Sequence, residues 1–269
     1  MTTPSAPGPR VPRPIAWVDG RIVPADQATV PLLDDGVLRG DAVFDAMLVR
    51  RGRTHAADAH LARLRASAKA LGIRVPVVRQ AMTDLLAAWG EHDGAMKLIV
   101  TRSGTLRGLV QAVQWPASIS LAVVDVPWRT AISGVKTLSY AANQWAQRQA
   151  QAAHADDALV ATDGTVMELP TGALVVVRDG VLATPDPRLH PILDSVTVHE
   201  LALVEPVERT ILTVDDVRGA DEVFVVSATR PVLPVHAIDD VELPAPGPVT
   251  ADVAARFREH VDATLDPLP

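Results

Sequence analysis

The sequence predicts an α+β protein of two domains, with a cleft between them where a small ligand could bind. Three observations support this fold class: short strand-like stretches follow one another around Gly-containing turns, amphipathic helical segments interrupt them, and the G-x-G-x-x-G motif typical of nucleotide-binding Rossmann domains is missing. The 269 residues suffice for one large or two modest domains. Clefts between domains commonly bind small molecules.

The composition limits the classes of function. With 48% hydrophobic and 21% charged residues, the chain has the composition of an ordinary soluble globular protein. The net charge of −7 argues against a nucleic-acid partner, and no apolar run approaches the roughly 20 residues needed to span a membrane. Cysteine is absent and the eight histidines show no metal-ligand spacing, so neither disulfides nor a metal site are expected. The simplest location for such a chain is the cytoplasm.

Four segments divide the chain. Residues 1–14 are rich in proline and predict a flexible tail, because they lack the apolar centre of a signal peptide. Residues 15–126 form the predicted first domain, residues 127–133 a linker, and residues 134–269 the second, larger domain.

The first domain is predicted from hairpin and helix signals. Gly-containing turns between apolar runs are typical of hairpins, and leucines at helical spacing follow them. The predicted elements are hairpins around Asp19-Gly20 and Arg51-Gly52, helices over 58–72 and 77–90, and strands in MKLIVTRS and SISLAVVDVP that close the domain.

The second domain is predicted to hold a β meander flanked by helices. Asp-Gly turns separate its short strands, which argues against a series of parallel βαβ units. The predicted elements are a helix over 140–154, strands in DDALVAT, TVMELP, ALVVVRDG and GVLATP, a helix within HPILDSVTVHELALV, a buried strand in DEVFVVSAT and a closing helix over 249–263.

Lys136 is the first candidate for chemistry, because lysine is rare here: three lysines stand against 22 arginines. It lies in ISGVKTLSYAANQWA, where the single tyrosine of the chain, Tyr140, follows four residues later. A lysine amine can lose its proton and form a Schiff base, which the permanently charged arginine cannot. The alternative is an ordinary surface lysine at a strand-to-helix corner.

Two further charged residues suit a cofactor. Glu168 lies in an otherwise apolar strand, 32 residues after Lys136, and a buried carboxylate needs a partner such as a protonated ring nitrogen. Arg63 lies within an apolar helix face, and a guanidinium is well suited to phosphate. Taken alone, each could instead be a surface residue, Glu168 on an edge strand and Arg63 covering apolar neighbours.

An anion site is also predicted after a proline-rich turn. There Asp194-Ser195-Val196-Thr197 begins a helix whose free backbone N–H groups, together with the Thr197 hydroxyl, could bind an anion. A plain helix N-cap is the alternative. Arg102, at a strand end beside a Gly-containing loop, could meet a substrate carboxylate or simply be exposed.

A Schiff-base lysine, a carboxylate for a pyridinium nitrogen and a phosphate site together describe one cofactor, pyridoxal 5′-phosphate. The order of these residues along the chain resembles that of the class IV, or branched-chain-aminotransferase-like, pyridoxal-phosphate enzymes. Within this class the chain looks most similar to aminodeoxychorismate lyase. The resemblance runs from about residue 16 to 238. Its segments are DDGVLRGDAVFDAMLVRRG, AHLARLRASAKALGI, MKLIVTRSG, VKTLSYAANQWAQRQA, ADDALVATDGTVMELPTGALVVV, ATPDPRLHPILDSVTVHEL and ADEVFVVSATRPVLPV.

The resemblance implies the α+β architecture called fold type IV, with a small N-terminal α/β domain and a larger C-terminal β-barrel-like domain with helices, usually paired as a homodimer. It implies that Lys136 carries the cofactor as a Schiff base and shuttles protons, that Tyr140 hydrogen-bonds the phenolic oxygen, and that Glu168 faces the ring nitrogen. The other implied ligands are Arg63, the backbone of Val196, the Thr197 hydroxyl and the backbone near Ala228 for the phosphate, with Arg39 and Arg102 for substrate carboxylates.

The chain departs from the family pattern at positions that bear on the substrate. The departures are Arg39 for an aromatic residue, Ala42 for a glycine, Ala173 for an asparagine, Asp194-Ser195 for Pro-Gly or Arg-Gly, and Ala228 where many transaminases have a hydroxyl. Cofactor binding is still expected with these changes, whereas the identity of the substrate, and activity itself, stay open.

Two activities fit the implied chemistry, since both depend on proton transfer by lysine. The first is a lyase that converts 4-amino-4-deoxychorismate to 4-aminobenzoate and pyruvate in folate precursor synthesis, favoured by the SATRPVLPV stretch and by Arg39, which could pair with a dicarboxylate. The second is a transaminase for D-amino acids, branched-chain amino acids or (R)-amines. A non-catalytic paralogue that binds the cofactor is a third interpretation, motivated by Ala42 and Ala173, and an α+β protein without a cofactor is a fourth.

Overall fold

The computed structural model describes residues 12–267, which form two β-sheets and seven α-helices. The predicted tail over 1–14 therefore lies almost entirely outside the described residues. The strands are β1 (Ile15–Val18), β2 (Arg21–Pro24), β3 (Ala42–Arg50), β4 (Arg53–Thr54), β5 (Gly94–Thr101), β6 (Leu106–Gln111), β7 (Ile119–Asp125), β8 (Asp157–Thr162), β9 (Thr165–Val166), β10 (Ala173–Arg178), β11 (Val181–Pro185), β12 (Val207–Thr210), β13 (Glu222–Ser227), β14 (Arg230–Ile238) and β15 (Val241–Glu242). The helices are α1 (Asp35–Arg39), α2 (Ala57–Leu71), α3 (Arg79–Trp89), α4 (Ala141–Ala152), α5 (Val196–Leu201), α6 (Val214–Arg218) and α7 (Pro248–Ala263).

The first sheet is antiparallel, with strand order β2-β1-β6-β5-β3-β4. Both predicted hairpin turns are confirmed: Asp19 and Gly20, like Arg51 and Gly52, have positive φ at successive positions, which matches the right-handed twist of the flanking strands. Helices α2 and α3 pack on this sheet through a core of Met47, Leu61, Leu64, Leu85 and Leu98. Burying each such side chain contributes about 1.5–3 kcal/mol.

Strand β6 was missed by the sequence reasoning because it contains Gly108, which is typical of a turn. The structure gives a packing reason for this glycine: a Cβ atom there would lie 2.6 Å from Leu85 Cδ1. Helix α3 therefore approaches the sheet closely at this point.

The second sheet has nine strands in the order β12-β11-β10-β13-β14-β7-β8-β9, with β15 beside β14. Its central strands are buried on both faces: Val175 and Val177 belong to the core under α5 and α7, whereas Leu174 and Val176 pack on the opposite side. This explains why ALVVV reads as a continuous apolar run rather than an alternating one.

The position of β7 differs from the expectation. This strand was expected to close the first domain, but it pairs in parallel with β8 and β14 of the second sheet. The sequence of an apolar strand does not indicate which strand it pairs with, because the pairing depends on residues far away in sequence. The predicted domain bounds themselves stay a prediction.

The meander prediction needs a second correction. The turns at Asp163-Gly164 and Asp179-Gly180 do join antiparallel strands. However, β7 and β8 are parallel and connected through α4, which makes one βαβ unit, and β11 and β12 are also parallel. The second sheet is therefore mixed.

None of the helices within residues 12–267 combines the length and the apolar character needed to cross a membrane.

Candidate active site

A cavity of about 560 Å³ lies where the two sheets meet. Such a volume falls in the range of about 300–1,000 Å³ that is usual for small-molecule sites. Its wall takes residues from both sheets and from the segment 127–140. Lys136, Arg63, Glu168 and Tyr140, which lie far apart in sequence, all line this one cavity.

Lys136 is held by backbone contacts to the first domain. Its N–H donates to Ser67 Oγ of α2 at 3.1 Å, and its carbonyl oxygen accepts from the Phe44 N–H of β3 at 3.1 Å. Its Nζ lies 4.8 Å from the centroid of the Phe44 ring. The lysine backbone therefore runs along β3 while its amine faces the cavity.

The environment favours the neutral amine of Lys136. Burial lowers the pKa of Lys136 to about 8, and the positive charge of Arg63 acts in the same direction. The negative charges of Asp45 and Glu168 offset part of this effect. A substantial fraction of the amine is then unprotonated and nucleophilic slightly above neutral pH.

Arg63 is fixed by two residues that the sequence reasoning missed, Asp45 and His60. Asp45 is fully buried: its Oδ2 accepts from Arg63 Nε at 2.9 Å, and its Oδ1 accepts from Arg63 Nη2 at 2.8 Å and lies 2.8 Å from His60 Nδ1. Burial would raise the pKa of Asp45, but hydrogen bonds and charges from Arg63 and His60 hold it at about 2. The other terminal nitrogen, Nη1, lies 3.4 Å from the carbonyl oxygen of Asp194. A lone aspartate within the apolar run AVFDAMLV was the available sequence signal.

The turn before α5 forms the end of the cavity beside Arg63. Ser195 is the N-cap, and its hydroxyl accepts from the Val198 N–H at 3.3 Å. Thr197 is buried and lines the cavity, as does Ala228 in the turn between β13 and β14. Val196 lies beside them on a second, smaller cavity. The residues predicted to bind the phosphate are thus neighbours in space. That they bind a phosphate stays a prediction.

Glu168 is held by two donors. Its Oε1 accepts from Trp128 Nε1 at 3.0 Å, and its Oε2 accepts from the Leu193 N–H at 3.1 Å. Burial raises the pKa of Glu168, although these two hydrogen bonds partly counteract it. Trp128 falls within the predicted linker over 127–133, whose residues form part of the cavity wall.

Tyr140 lies on the same wall, at the N-terminal end of α4. Its ring packs edge-to-face against Phe44, with centroids 5.3 Å apart. Burial raises the pKa of Tyr140 to about 12, and the charge of Glu168 adds to this shift. The phenol therefore stays protonated and can donate a hydrogen bond.

Arg39 and Arg102 do not line the cavity of their own chain. Arg39 is exposed on α1 and pairs with Asp35 at 2.6 Å. Arg102 pairs with Asp41 and donates to the Leu71 carbonyl at 2.6 Å. Their predicted role in carboxylate binding stays a prediction that the cavity of a single chain does not support.

Two other cations line the cavity instead. Lys97 Nζ lies 5.2 Å from the centroid of the Phe44 ring, and burial lowers its pKa. Arg230 is buried, with Nη1 3.3 Å from Asp157 and its guanidinium 4.7 Å from the Trp115 ring centroid. The sequence signal for Lys97 was the same rarity of lysine that identified Lys136.

Comparison with known proteins places these features in a family context. The family model for class IV amino-transferases matches residues 42–238. A bifunctional aminodeoxychorismate lyase / D-amino acid transaminase of Mycobacterium tuberculosis is 30% identical, over 93% of this chain and 98% of that protein. A D-alanine aminotransferase of Bacillus licheniformis is 28% identical, over 90% and 95%. A putative branched-chain-amino-acid aminotransferase of Methanocaldococcus jannaschii is 29% identical, over 90% and 95%.

Solved structures give the same picture. The PLP-bound form of a hypothetical aminotransferase from M. tuberculosis matches with a TM-score of 0.82 and 26% identity, over 93% of this chain and 99% of that one. The fold IV transaminase CpuTA1 from Curtobacterium pusillum matches with a TM-score of 0.80 and 28% identity, over 91% and 99%. The mixed α/β architecture described above is thus that of fold IV aminotransferases.

Proposed function

Since this chain belongs to the class IV aminotransferase family, we propose that it binds pyridoxal 5′-phosphate in the cavity around Lys136 and acts on a small amine that carries carboxylates. The observation that carries the proposal is the single cavity that joins the Lys136 amine, the Glu168 carboxylate and Arg63. An amine of lowered pKa, a half-buried carboxylate and a cationic end are the groups that suit this cofactor.

The residues present fit the cofactor in charge and position. Arg63 donates hydrogen bonds from two of its nitrogens to Asp45, and its third nitrogen points toward the turn at Asp194. It can therefore bind a phosphate beside the Thr197 hydroxyl. Glu168, held by Trp128, would face the ring nitrogen. Tyr140 would donate to the phenolic oxygen. When bound, the cofactor supplies an aldehyde for amines and an electron-withdrawing ring.

Lys136 carries out the proton transfers in this proposal. Its Nζ would hold the cofactor covalently at rest and, once displaced by the substrate amine, would take the proton from the carbon next to that amine. The lowered pKa of Lys136 suits this role, because a base is effective when its pKa lies near the working pH.

The specific reaction that we propose is the conversion of 4-amino-4-deoxychorismate to 4-aminobenzoate. Loss of the proton from the carbon next to the amine would let the neighbouring ring C–O bond break, so that the ring becomes aromatic and the departing enolate takes up a proton to give pyruvate. Two observations support the lyase: Ser227 to Arg230 of the SATRPVLPV stretch line the cavity, and Lys97 offers a cation for a substrate carboxylate. Arg39, which favoured a dicarboxylate in the sequence, gives no such support within one chain.

Transamination is the second candidate. It is favoured by the D-alanine and branched-chain aminotransferases among the similar proteins. In this reaction Lys136 would again move the proton, but no group would leave the substrate, so the same residues serve both reactions.

One experiment separates the two candidates. The enzyme is supplied with 4-amino-4-deoxychorismate in one assay and with a D-amino acid and 2-oxoglutarate in another, with Lys136→Ala as the control in both. Release of 4-aminobenzoate supports the lyase, and formation of glutamate supports the transaminase. Failure of both, in protein that retains the cofactor, would refute these activities and leave the non-catalytic paralogue.

We also propose that two copies pair as a homodimer. Five apolar side chains of the segment 30–38 are exposed: Val30 by 43%, Leu32 by 76%, Leu33 by 83%, and Val37 and Leu38 by 50% each. Arg39 directly follows this segment, so pairing through the segment would bring Arg39 near the partner. Light scattering should give twice the mass of one chain, and Leu33→Glu should lower it to that of a monomer.

A further inference from the structure

His55, Glu200 and His260 form a cluster outside the proposed active site. His55 lies between β4 and α2, Glu200 in α5 and His260 in α7, so three separate elements meet here. One ligand-type atom of each residue lies within 4.8 Å of the others. Glu200 Oε2 is 3.2 Å from His260 Nε2 and 3.6 Å from His55 Nε2.

We propose that His55, Glu200 and His260 bind a divalent transition metal, with Zn²⁺ the best match. Zn²⁺ prefers imidazole nitrogen and carboxylate oxygen, at bond lengths of about 2.0–2.2 Å, so that ligand atoms of a tetrahedral site lie about 3.3–3.6 Å apart. The two separations from Glu200 Oε2 are close to this range before any ion is bound. Water would complete the tetrahedron.

The two imidazoles are held in place by their surroundings. The ring of His260 stacks on Phe257, with an interplanar angle of 18°, and the ring of His55 packs edge-on against His260. His55 is buried and its Nε2 lies 3.2 Å from Thr264 Oγ1. Burial lowers the pKa of His55 and so favours the neutral ring, and a bound metal would replace the hydrogen bond that Nε2 makes with Thr264.

An ion can reach the cluster from solvent. The side chains of Glu200 and His260 are 20% and 19% exposed. None of the three ligand residues lines the large cavity around Lys136. A small cavity, bordered by His55, Glu200 and Thr197, lies between the cluster and the large cavity. A bound ion would therefore take no part in the proton transfers at Lys136.

The metal would instead fasten three elements together. Glu200 follows Thr197 by three residues on α5, so the ion would fix the helix whose first turn lines the large cavity. His260 belongs to the closing helix α7 and His55 to the first domain. The expected consequence is a higher melting temperature in the presence of the metal, because binding to the folded state alone stabilises it.

The test uses the full chain without an affinity tag, loaded with its cofactor, and Co²⁺ as a visible probe for the Zn²⁺ site. The wild type should bind one Co²⁺ per chain with d–d bands of a tetrahedral site, and Zn²⁺ should displace it. Both His260→Gln and Glu200→Gln should weaken binding by more than about 100-fold, since even the loss of outer-shell partners costs about 10- to 100-fold.

His92→Gln serves as the matched control, because His92 is exposed and does not belong to the cluster. Circular dichroism establishes that each variant is folded. Equal Co²⁺ affinity in all four proteins, or no stoichiometric binding by the wild type, would overturn the proposal and leave a hydrogen-bonded cluster only. None of these readouts depends on turnover, so the proposed function can fail while the metal site stands.

Discussion

Arg63 and Asp45 form a two-pronged ion pair, in which the guanidinium donates two hydrogen bonds of 2.8 and 2.9 Å to a carboxylate that is completely shielded from solvent. The pair joins α2 to β3 and fixes the direction of the remaining guanidinium nitrogen. A residue on the neighbouring strand thus determines how a predicted phosphate ligand is presented to the cavity.

Removing the charge of Asp45 should destabilise the fold. Asp45→Asn leaves Arg63, whose side chain is only 14% exposed, without its counter-charge, and breaking a buried pair costs about 3–5 kcal/mol. Urea unfolding monitored by circular dichroism measures the change in the free energy of unfolding. Asp58→Asn is the control, because Asp58 also pairs with an arginine but is 86% exposed, and it should change little. Equal effects of the two substitutions would contradict the proposed importance of burial.

The same pair predicts a loss of stability in acid. The pKa of Asp45 is about 2 in the folded protein against an ordinary value of 3.8, so its contribution is fully present above pH 4 and disappears as the pH falls through 2. The difference corresponds to about 2 kcal/mol. The unfolding free energy of the wild type should therefore decrease between pH 4 and pH 2 by about this amount more than that of Asp45→Asn. Parallel pH profiles would show that Asp45 titrates normally.

Replacement of Lys136 should abolish turnover. Lys136→Ala removes both the covalent attachment of the cofactor and the base, and the loss of a positioned base alone costs about 10²–10⁴-fold. The rate is measured in the two assays described above, with Lys69→Ala as the control because Lys69 is exposed on α2. Retention of substantial activity by Lys136→Ala would place the base elsewhere.

The capture of the cofactor should depend on pH with a midpoint near 8. The protein freed of cofactor reacts through the neutral amine of Lys136, whose pKa is about 8, so the rate should rise with pH and level off above this value. The charge of Lys97 helps to lower this pKa. Lys97→Met should therefore shift the midpoint upward, whereas Lys69→Met should leave it unchanged. A lower midpoint in Lys97→Met than in the wild type would contradict the effect of the Lys97 charge on the pKa of Lys136.

The hydrogen bond from Trp128 to Glu168 should matter for the rate. Trp128→Phe removes a donor at 3.0 Å from the carboxylate, so the pKa of Glu168 should rise further and the carboxylate should be ionised less often. Hydrogen bonds to charged groups contribute about 1.5–3 kcal/mol, which predicts a decrease in turnover of about 10-fold or more. Trp145→Phe, on the exposed face of α4, is the control. Equal rates for the two variants would show that the indole only fills space.

The two hairpins of the first domain and the four longest helices were predictable because their signals are local, whereas the short helices α1 and α6 were not predicted. Asp19-Gly20 and Arg51-Gly52 need positive φ in their turns, and the apolar spacing of α2, α3, α4 and α7 identifies each helix within about two residues. The strand partners were less predictable, as β7 demonstrates, because pairing joins residues that are distant in sequence.

By itself, the sequence determined which residue types carry the chemistry: a rare lysine at 136, a carboxylate at 168 and an arginine at 63. Only the tertiary structure decided that these three share one cavity, that Asp45, Trp128 and Lys97 belong with them, and that Arg39 and Arg102 do not line it in one chain. The physical reason is that reactivity depends on burial and on charges within a few ångströms, and the folded chain sets these distances between residues far apart in sequence.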